Sequence, residues 1–439
     1  MEVGGSRAMP DPTLLSWRWL VGPWMGQIRV ENSGGKWILC SSGRFGDFEC
    51  ESRISMKQKL LFLSAHMPSL NATEAGHVCA FRHLDVLTRK YEVHFVGFRG
   101  NISADWNVEP LLERCASVKL FKVDIPRRMA WILRNPFLPM TVAARASHEC
   151  RAYIRKLMSI HSFDRVHFEW HHMASYADLF EGAEFTTYAH DIYHQTSFRK
   201  SQTENWLKRI FYKIEFLRLK TWEARAFGCM DRIFIPSEKD MELLEKLDSS
   251  LKEHCRVSKL SFKIYSRRSA EFNGTPILGF WGAYSRMENV DAARTLVHTV
   301  LPAIEAQGAV VKVKIAGAHP PASFGQFPKE KVEVTGFVDD PGEVLRSLHL
   351  AVLPLQFGGG VKIKVLECLS AGVPVVTTPV GAEGIPCSAE QGLIVGGTTD
   401  ELARAVVDLL RQPERIASLS RAAASWARSY ADTDGAVLL

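Results

Sequence analysis

Long apolar runs are missing from this 439-residue chain: no stretch approaches the roughly eighteen consecutive apolar residues that a spanning helix needs. Cysteine is sparse and scattered. The nine thiols (Cys40, Cys50, Cys79, Cys115, Cys150, Cys229, Cys255, Cys368 and Cys387) are odd in number and form no Cys-x-x-Cys pair and no zinc spacing. That argues against a zinc module or a disulfide scaffold and fits small buried groups in a reduced, cytoplasmic compartment. Neither charge sign dominates, since 54 Lys and Arg against 48 Asp and Glu leave +6. A balance so mild favours anionic partners such as nucleotide phosphates or acidic lipid surfaces, and it is too weak to argue for nucleic acid. Internal repeats and low-complexity tracts are also lacking.

What is present is a long alternation of short apolar strands and amphipathic helices, too long for one core and typical of parallel, doubly wound α/β domains. It starts only at residue 60. Residues 1–55 are rich in Gly, Ser and Trp without a sustained period, and read as an irregular extension. Their apolar stretch, Leu14 to Met25, is interrupted by Arg18 and lacks a small-residue cleavage site, so it is a poor signal peptide. Met56-Lys-Gln-Lys then runs straight into an apolar strand, as bacterial cytosolic α/β enzymes usually begin. Met56 is therefore expected to be the native start, with 1–55 an extension or an artefact of the assigned start.

The pattern predicts strands over 60–65, 92–97, 117–123, 165–170, 185–190 and 232–236, with helices near 74–89, 141–160, 199–228 and 238–247. A polar stretch from Arg256 to Gly274 ends this first unit. The alternation restarts with strands over 277–281, 310–316, 332–335, 350–355 and 373–378, and helices over 290–306, 341–348, 361–371, 399–411 and 413–429. The resulting domains are 56–262 and 275–439, joined by a linker over 263–274. In open α/β sheets, ligands bind outside the carboxyl ends of the strands.

The most informative segment runs from Leu353 through Gly358-Gly359-Gly360 to Lys364, Glu367 and Gly372. A strand ends, three glycines turn the chain, and a helix begins. Free backbone N–H groups and the positive end of the helix dipole at such a start form an anion site, and the glycines let a phosphate approach closely. Lys364 and Glu367 lie three residues apart on one helical face, a cation for a diphosphate beside a carboxylate able to accept ribose hydroxyls. Gly372 caps the helix ahead of Pro374 and a buried strand.

These residues resemble the retaining GT-B glycosyltransferases of family 4 (glycosyl transferases group 1), in the branch reading Gly-Gly-x-x-x-Lys-Val-Leu-Glu. The motif is Gly359-Gly360 to Lys364-Val365-Leu366-Glu367 here, followed by Ala371-Gly372-Val373-Pro374 and Gly381-Ala382-Glu383-Gly384. Gly279 to Gly282, Asn289 to Asp291 and Val334 to Phe337 support it, and the likeness covers roughly 57–425. The resemblance implies two Rossmann-like domains facing across a cleft, an N-terminal acceptor domain and a C-terminal donor domain. It further implies hexosyl-type transfer from a nucleotide sugar to a glycan or lipid-linked acceptor, with retention, no metal and no cofactor, in surface polysaccharide assembly. Glu367 matches the ribose-binding glutamate of the family's Glu-x7-Glu motif. The first glutamate falls at Gly359, and an Arg/Lys pair frequent in the family falls at Ala283 and Glu288. Phosphate neutralisation is then left to Lys364, Lys362 and Arg286, with Gly282, Gly359 and Gly360 beside the donor.

On the N-terminal side the resemblance points to Gly76, in the loop after the first strand, and to His190 near the donor sugar. Tyr188-Ala-His190-Asp191 closes a strand, the functional edge of an open sheet, and Asp191 is expected to orient the imidazole or the acceptor. Glu169-Trp-His171-His172 ends another strand and is expected to line the same cleft, with poor spacing for a metal. Arg127 to Met140 mixes cations with Trp131, Phe137 and Leu133, as interfacial segments do, and suggests peripheral contact with the inner face of the membrane. The basic helix Trp206 to Lys220 reads as a cover for the sheet.

Two other readings stay open. A sugar-nucleotide epimerase of the same frame needs acid/base carboxylates that the sequence does not place, and a non-catalytic scaffold would bind nucleotide sugar or glycan without transfer. A dehydrogenase is disfavoured because no Gly-x-Gly-x-x-Gly follows the first strand.

Overall fold

The computed structural model describes residues 57–70, 72, 75–100, 106–203, 205–260, 262–266 and 274–431, with three short strands before them. The chain divides into compact units Met1–Lys57 and Gln58–Leu439. In the first, β1 (Arg18–Leu20), β2 (Gln27–Glu31) and β3 (Trp37–Ser41) form an antiparallel meander. Sequence periodicity did not anticipate these strands, because three to five residues are too few to establish a period. The rest of the expected extension lies outside the described residues.

The second unit holds two sheets. The first is built from β4 (Lys59–Ser64), β5 (Glu92–Arg99), β6 (Ser117–Lys122), β7 (Arg165–Glu169), β8 (Glu184–Tyr188), β9 (Arg232–Ile235) and β10 (Cys255–Val257). Its spatial order is β10-β9-β8-β7-β4-β5-β6, and every pairing is parallel. Between the strands run α1 (Ala75–Lys90), α2 (Ile125–Arg134), α3 (His148–Met158), α4 (Tyr193–Thr203), α5 (Trp206–Gly228) and α6 (Glu238–Leu247).

The second sheet comprises β11 (Ile277–Trp281), β12 (Lys312–Ala316), β13 (Val332–Gly336), β14 (Leu350–Leu353), β15 (Val375–Thr377) and β16 (Leu393–Val395), in the parallel order β13-β12-β11-β14-β15-β16. Its helices include α7 (Met287–Thr295), α8 (Pro341–Ser347), α9 (Ile363–Ser370), α10 (Thr399–Leu410) and α11 (Pro413–Tyr430).

Central strands are buried on both faces, which is why Leu60-Leu-Phe-Leu63 and Leu350-Ala-Val-Leu353 are unbroken apolar runs rather than alternations. Helix boundaries follow local capping. Ser147 accepts the Cys150 N–H and starts α3 afresh, so the helix expected over 141–160 is a short turn at Met140–Ala143 followed by α3. Asn205 likewise accepts the Lys208 N–H and divides the stretch expected as one helix over 199–228 into α4 and α5. β10 overlaps the start of the stretch read as polar connection, at the sheet edge, where only three residues pair. The expected linker 263–274 lies in part outside the described residues. Where described, Tyr265 is buried, and its N–H donates to Ser370 Oγ.

Both sheets keep one winding. Each starts in the middle, grows outward through its second and third strands, then returns past the first. The chain thereby changes direction between β4 and β7 in one sheet and between β11 and β14 in the other. Carboxyl ends on either side of such a reversal splay their loops apart and leave a crevice.

Candidate functional site

The two crevices meet. A cleft of about 310 Å³ is walled by His66, Gly76, Trp170, His190 and Asp191 from the first sheet, and by Gly282, Arg286, Gly359, Lys362, Lys364 and Glu367 from the second. A second cavity of about 500 Å³ adjoins it, bounded by Arg82, Tyr265, Phe337 and Asp339. Trp281, Gly282, Ala283, Ile363 and Glu367 line both. Glu169, His171 and His172, expected to line this cleft, do not reach its wall, and neither does Gly360. It supports that wall, because a Cβ at Gly360 would lie 2.7 Å from the His190 carbonyl oxygen and its φ of +62° suits glycine.

The turn Gly358–Gly360 leads into α9, whose first residues carry the cations. Lys364 Nζ donates to Asn289 Oδ1 and lies 5.0 Å from the centre of the Phe280 ring. Burial, with Arg286 nearby, draws its ammonium down from 10.5 to about 7. Gly282 leaves room for it, since a Cβ there would stand 2.8 Å from Nζ. Lys362 is buried and turns back on the glycines, donating to the Gly359 and Gly360 carbonyls at 2.9 and 2.5 Å, and burial lowers it to about 8. Arg286 is half exposed at the rim and pairs with Glu288 at 2.5 Å. Glu367 sits one turn above Lys364 at the junction of the two cavities, where burial pushes its carboxyl up to about 8.

On the opposite wall the imidazole of His190 stacks on Trp170 with centroids 4.5 Å apart, and its Nε2 bonds Glu169 at 2.6 Å. Trp170 holds a φ of +65°, a strained conformation for a bulky residue, at the end of β7. Gly76 faces it, 3.2 Å separating a virtual Cβ from the indole. Asp191 does not orient His190, contrary to expectation; its Oδ2 accepts from Thr196 at 3.2 Å. The orienting carboxylate is Glu169, wholly buried and accepting also from His83 and His167 at 2.9 Å each. Burial alone would raise Glu169, but three imidazoles hold it well below the usual carboxylate range.

Ligand atoms of His83, Glu169 and His190 all lie within 4.8 Å of one another, a span their own hydrogen bonds account for. His171 and His172 are buried away from the cleft wall. Glu223 holds His171 and His194 at 2.9 and 2.6 Å and accepts the Tyr193 N–H, fixing the chain just after Asp191.

Five participants, Glu383, Arg199, Lys239, His83 and His167, were given no role from sequence. Glu383 accepts a bidentate bond from Arg199 (2.5 and 2.6 Å) and pairs with Lys239 at 2.8 Å, while Arg199 also donates to the Gly358 carbonyl at 2.8 Å. One acidic side chain of the second sheet thus holds two cations of the first. His83 on α1 joins the Glu169 cluster. The two-residue spacing of His167 and Glu169, one face of β7, was the available signal for that cluster.

Two facing Rossmann-like sheets with a cleft between their carboxyl ends define the GT-B fold. Residues 275–412 match the family model described as glycosyl transferases group 1. Among curated proteins no sequence matches significantly. Among solved structures, the fold is similar to that of the sucrose-phosphate synthase from Thermosynechococcus elongatus (TM-score 0.59, 12% identity, 87% of this chain and 96% of that one). Anabaena HepE in complex with UDP-glucose superimposes with a TM-score of 0.57 at 13% identity, over 87% and 96% of the chains. WaaG, a glycosyltransferase involved in lipopolysaccharide biosynthesis, gives 0.56 at 15% identity, over 86% and 97%.

Proposed function

We propose that this protein is a glycosyltransferase that carries a sugar from a nucleoside diphosphate to a glycan or lipid-linked acceptor. One observation carries the reading: a glycine turn, two lysines and a carboxylate converge where the two cavities join. The diphosphate lies over the Gly359–Gly360 turn and the start of α9, against Lys364, with Arg286 at the rim. The nucleoside takes the larger cavity, where Phe337 and Tyr265 offer apolar and aromatic surface and Glu367 accepts from ribose hydroxyls. HepE crystallised with UDP-glucose, which supports a sugar nucleotide as the ligand class.

As the glycosidic bond stretches, negative charge gathers on the leaving diphosphate. In this reading the backbone N–H groups of the turn and the Lys364 ammonium meet that charge, and side chains supply the counter-charge in place of a metal ion. His190, locked by Glu169 and Trp170, meets the sugar from the other wall. We favour front-face transfer with retention, the departing phosphate taking the acceptor proton.

The acceptor side carries a surface suited to lipid. α2 and the following loop expose Ile125, Met129, Leu133 and Phe137, and α5 exposes Trp206, Leu207, Ile210, Ile214 and Leu217. Arg218 of α5 donates to the Pro136 and Leu138 carbonyls, which makes the two segments neighbours. Arg127, Arg128, Arg134, Lys208, Arg209 and Lys213 are interleaved, the pattern of an interfacial helix on anionic lipid. Trp131, expected as an anchor, is buried against Phe98 instead. We therefore assign membrane contact to the Leu133–Phe137 side of α2 together with α5, at a cytoplasmic bilayer face.

Thermal shift against UDP, GDP, ADP and their sugar conjugates tests the core of the reading. A ligand at a hundred times Kd stabilises by about 2.7 kcal/mol. One nucleotide series should raise Tm in the wild type and lose most of that effect in Glu367→Ala. No shift with any of them would overturn the proposal.

A further inference from the structure

The carboxylate of Asp191 reaches across from the first sheet into space that belongs to residue 359. A Cβ built on Gly359 falls inside the van der Waals radii of Asp191 Oδ1, Cγ and Oδ2, so the glycine is what admits this side chain. Thr196 Oγ1 is the one hydrogen-bond donor that Asp191 has among the described residues, on Oδ2, and Oδ1 is shut off from solvent with none. An ionised carboxylate offers about four acceptor positions, and leaving a buried oxygen unfilled is costly. Asp191 nonetheless stands in the cleft wall beside Gly359, Lys362 and His190.

A carboxylate in that place repels phosphate and attracts hydroxyl donors. The group one bond beyond a phosphate held on the Gly359–Gly360 turn is the transferred sugar. Resting on the glycosyltransferase reading, we propose that Asp191 is a specificity-determining residue that accepts hydrogen bonds from hydroxyls of the donor sugar, through the gap left by Gly359. The two walls then divide the donor between them. The second sheet holds nucleoside and diphosphate, and the first reads the sugar.

The test compares affinities within matched pairs: UDP with UDP-glucose, GDP with GDP-mannose, and ADP with ADP-glucose, by calorimetry on the full chain. For the pair that binds, Asp191→Ala should weaken the sugar conjugate by about ten-fold, as loss of a hydrogen bond to a charged group does, and change the free diphosphate by no more than about two-fold. Asp191→Asn, which keeps the shape, should give a smaller loss in the same direction. Equal losses for both members of the pair, or no loss for either, would overturn the assignment of Asp191 and leave the glycosyltransferase reading intact. Failure of the wild type to bind any of the six would overturn both.

Discussion

Replacing Lys364 with methionine should make the protein more stable and less active, and the two effects have one origin. Lys364 is sunk into the cleft wall, and among the described residues its ammonium meets Asn289 Oδ1 and the Phe280 ring but no carboxylate in ion-pair contact. Its fall from 10.5 to about 7 is the cost of holding that charge without a counter-ion. At 1.36 kcal/mol per pH unit the full cost is about 5 kcal/mol, and water in the open cleft reduces it to about 2 kcal/mol. Methionine removes the charge, keeps the packing on Phe280 and forfeits one hydrogen bond of about 1 kcal/mol. The net gain of about 1 kcal/mol raises Tm by about 1–3 °C.

The sign with pH follows from proton counting. Between pH 7 and 10.5 the unfolded chain binds a proton at this lysine that the folded chain has released, so wild-type stability rises with pH across that window. The advantage of Lys364→Met is therefore largest below pH 7 and shrinks towards pH 10. Melting curves at pH 6, 8 and 10, with donor turnover at pH 7, measure both effects. Transfer should fall by about two orders of magnitude, the scale on which charge-stabilising groups act. A variant that melts lower than wild type at pH 6 and transfers sugar normally would refute the reasoning.

Glu367 predicts a pH effect on binding: with its carboxyl at about 8, donor affinity should rise as pH passes from 7 to 9, and Glu367→Gln should flatten that rise in titrations. Glu169→Gln removes the charge that favours the imidazolium of His190, so the acid limb of kcat should move to lower pH and kcat fall about ten-fold or more, with the nucleotide Kd unchanged. Glu383→Ala leaves Arg199, Lys239 and Lys362 facing one another and should lower stability by about 1–3 kcal/mol, read as a lower urea midpoint. Aspartate at both Leu133 and Phe137 should abolish co-sedimentation with anionic vesicles; undiminished sedimentation would move the membrane face elsewhere.

Much of the frame was legible because buried parallel strands carry unbroken apolar runs. Ile277–Trp281 appears at the expected residues, and most other strands begin or end within a residue or two. The second-sheet wall of the cleft was legible because its residues are contiguous, with Gly359, Lys364 and Glu367 within three turns of chain. The other wall was not. His83, His167, Glu169 and His190 lie on α1, β7 and the end of β8, and only the winding of the sheet gathers them. That is why the carboxylate on His190 is Glu169, while sequence adjacency points to Asp191 for the imidazole or the acceptor. Periodicity also passes over β10 and β16, three residues each, and cannot tell that Trp131 turns inward while Leu133 does not.

The fit of Asp191 into the space beside Gly359 also bears on modularity. Gly360 is pressed against the His190 carbonyl, and Gly384 against Ser237, so three glycines of the second sheet are moulded to residues of the first. Halves of this protein are therefore not freely exchangeable parts. A chimera carrying a C-terminal half with a side chain at position 359 would collide with Asp191, whereas one that also shortens Asp191 would be relieved. Exchange of halves at this site is therefore restricted to paired changes at 191 and 359.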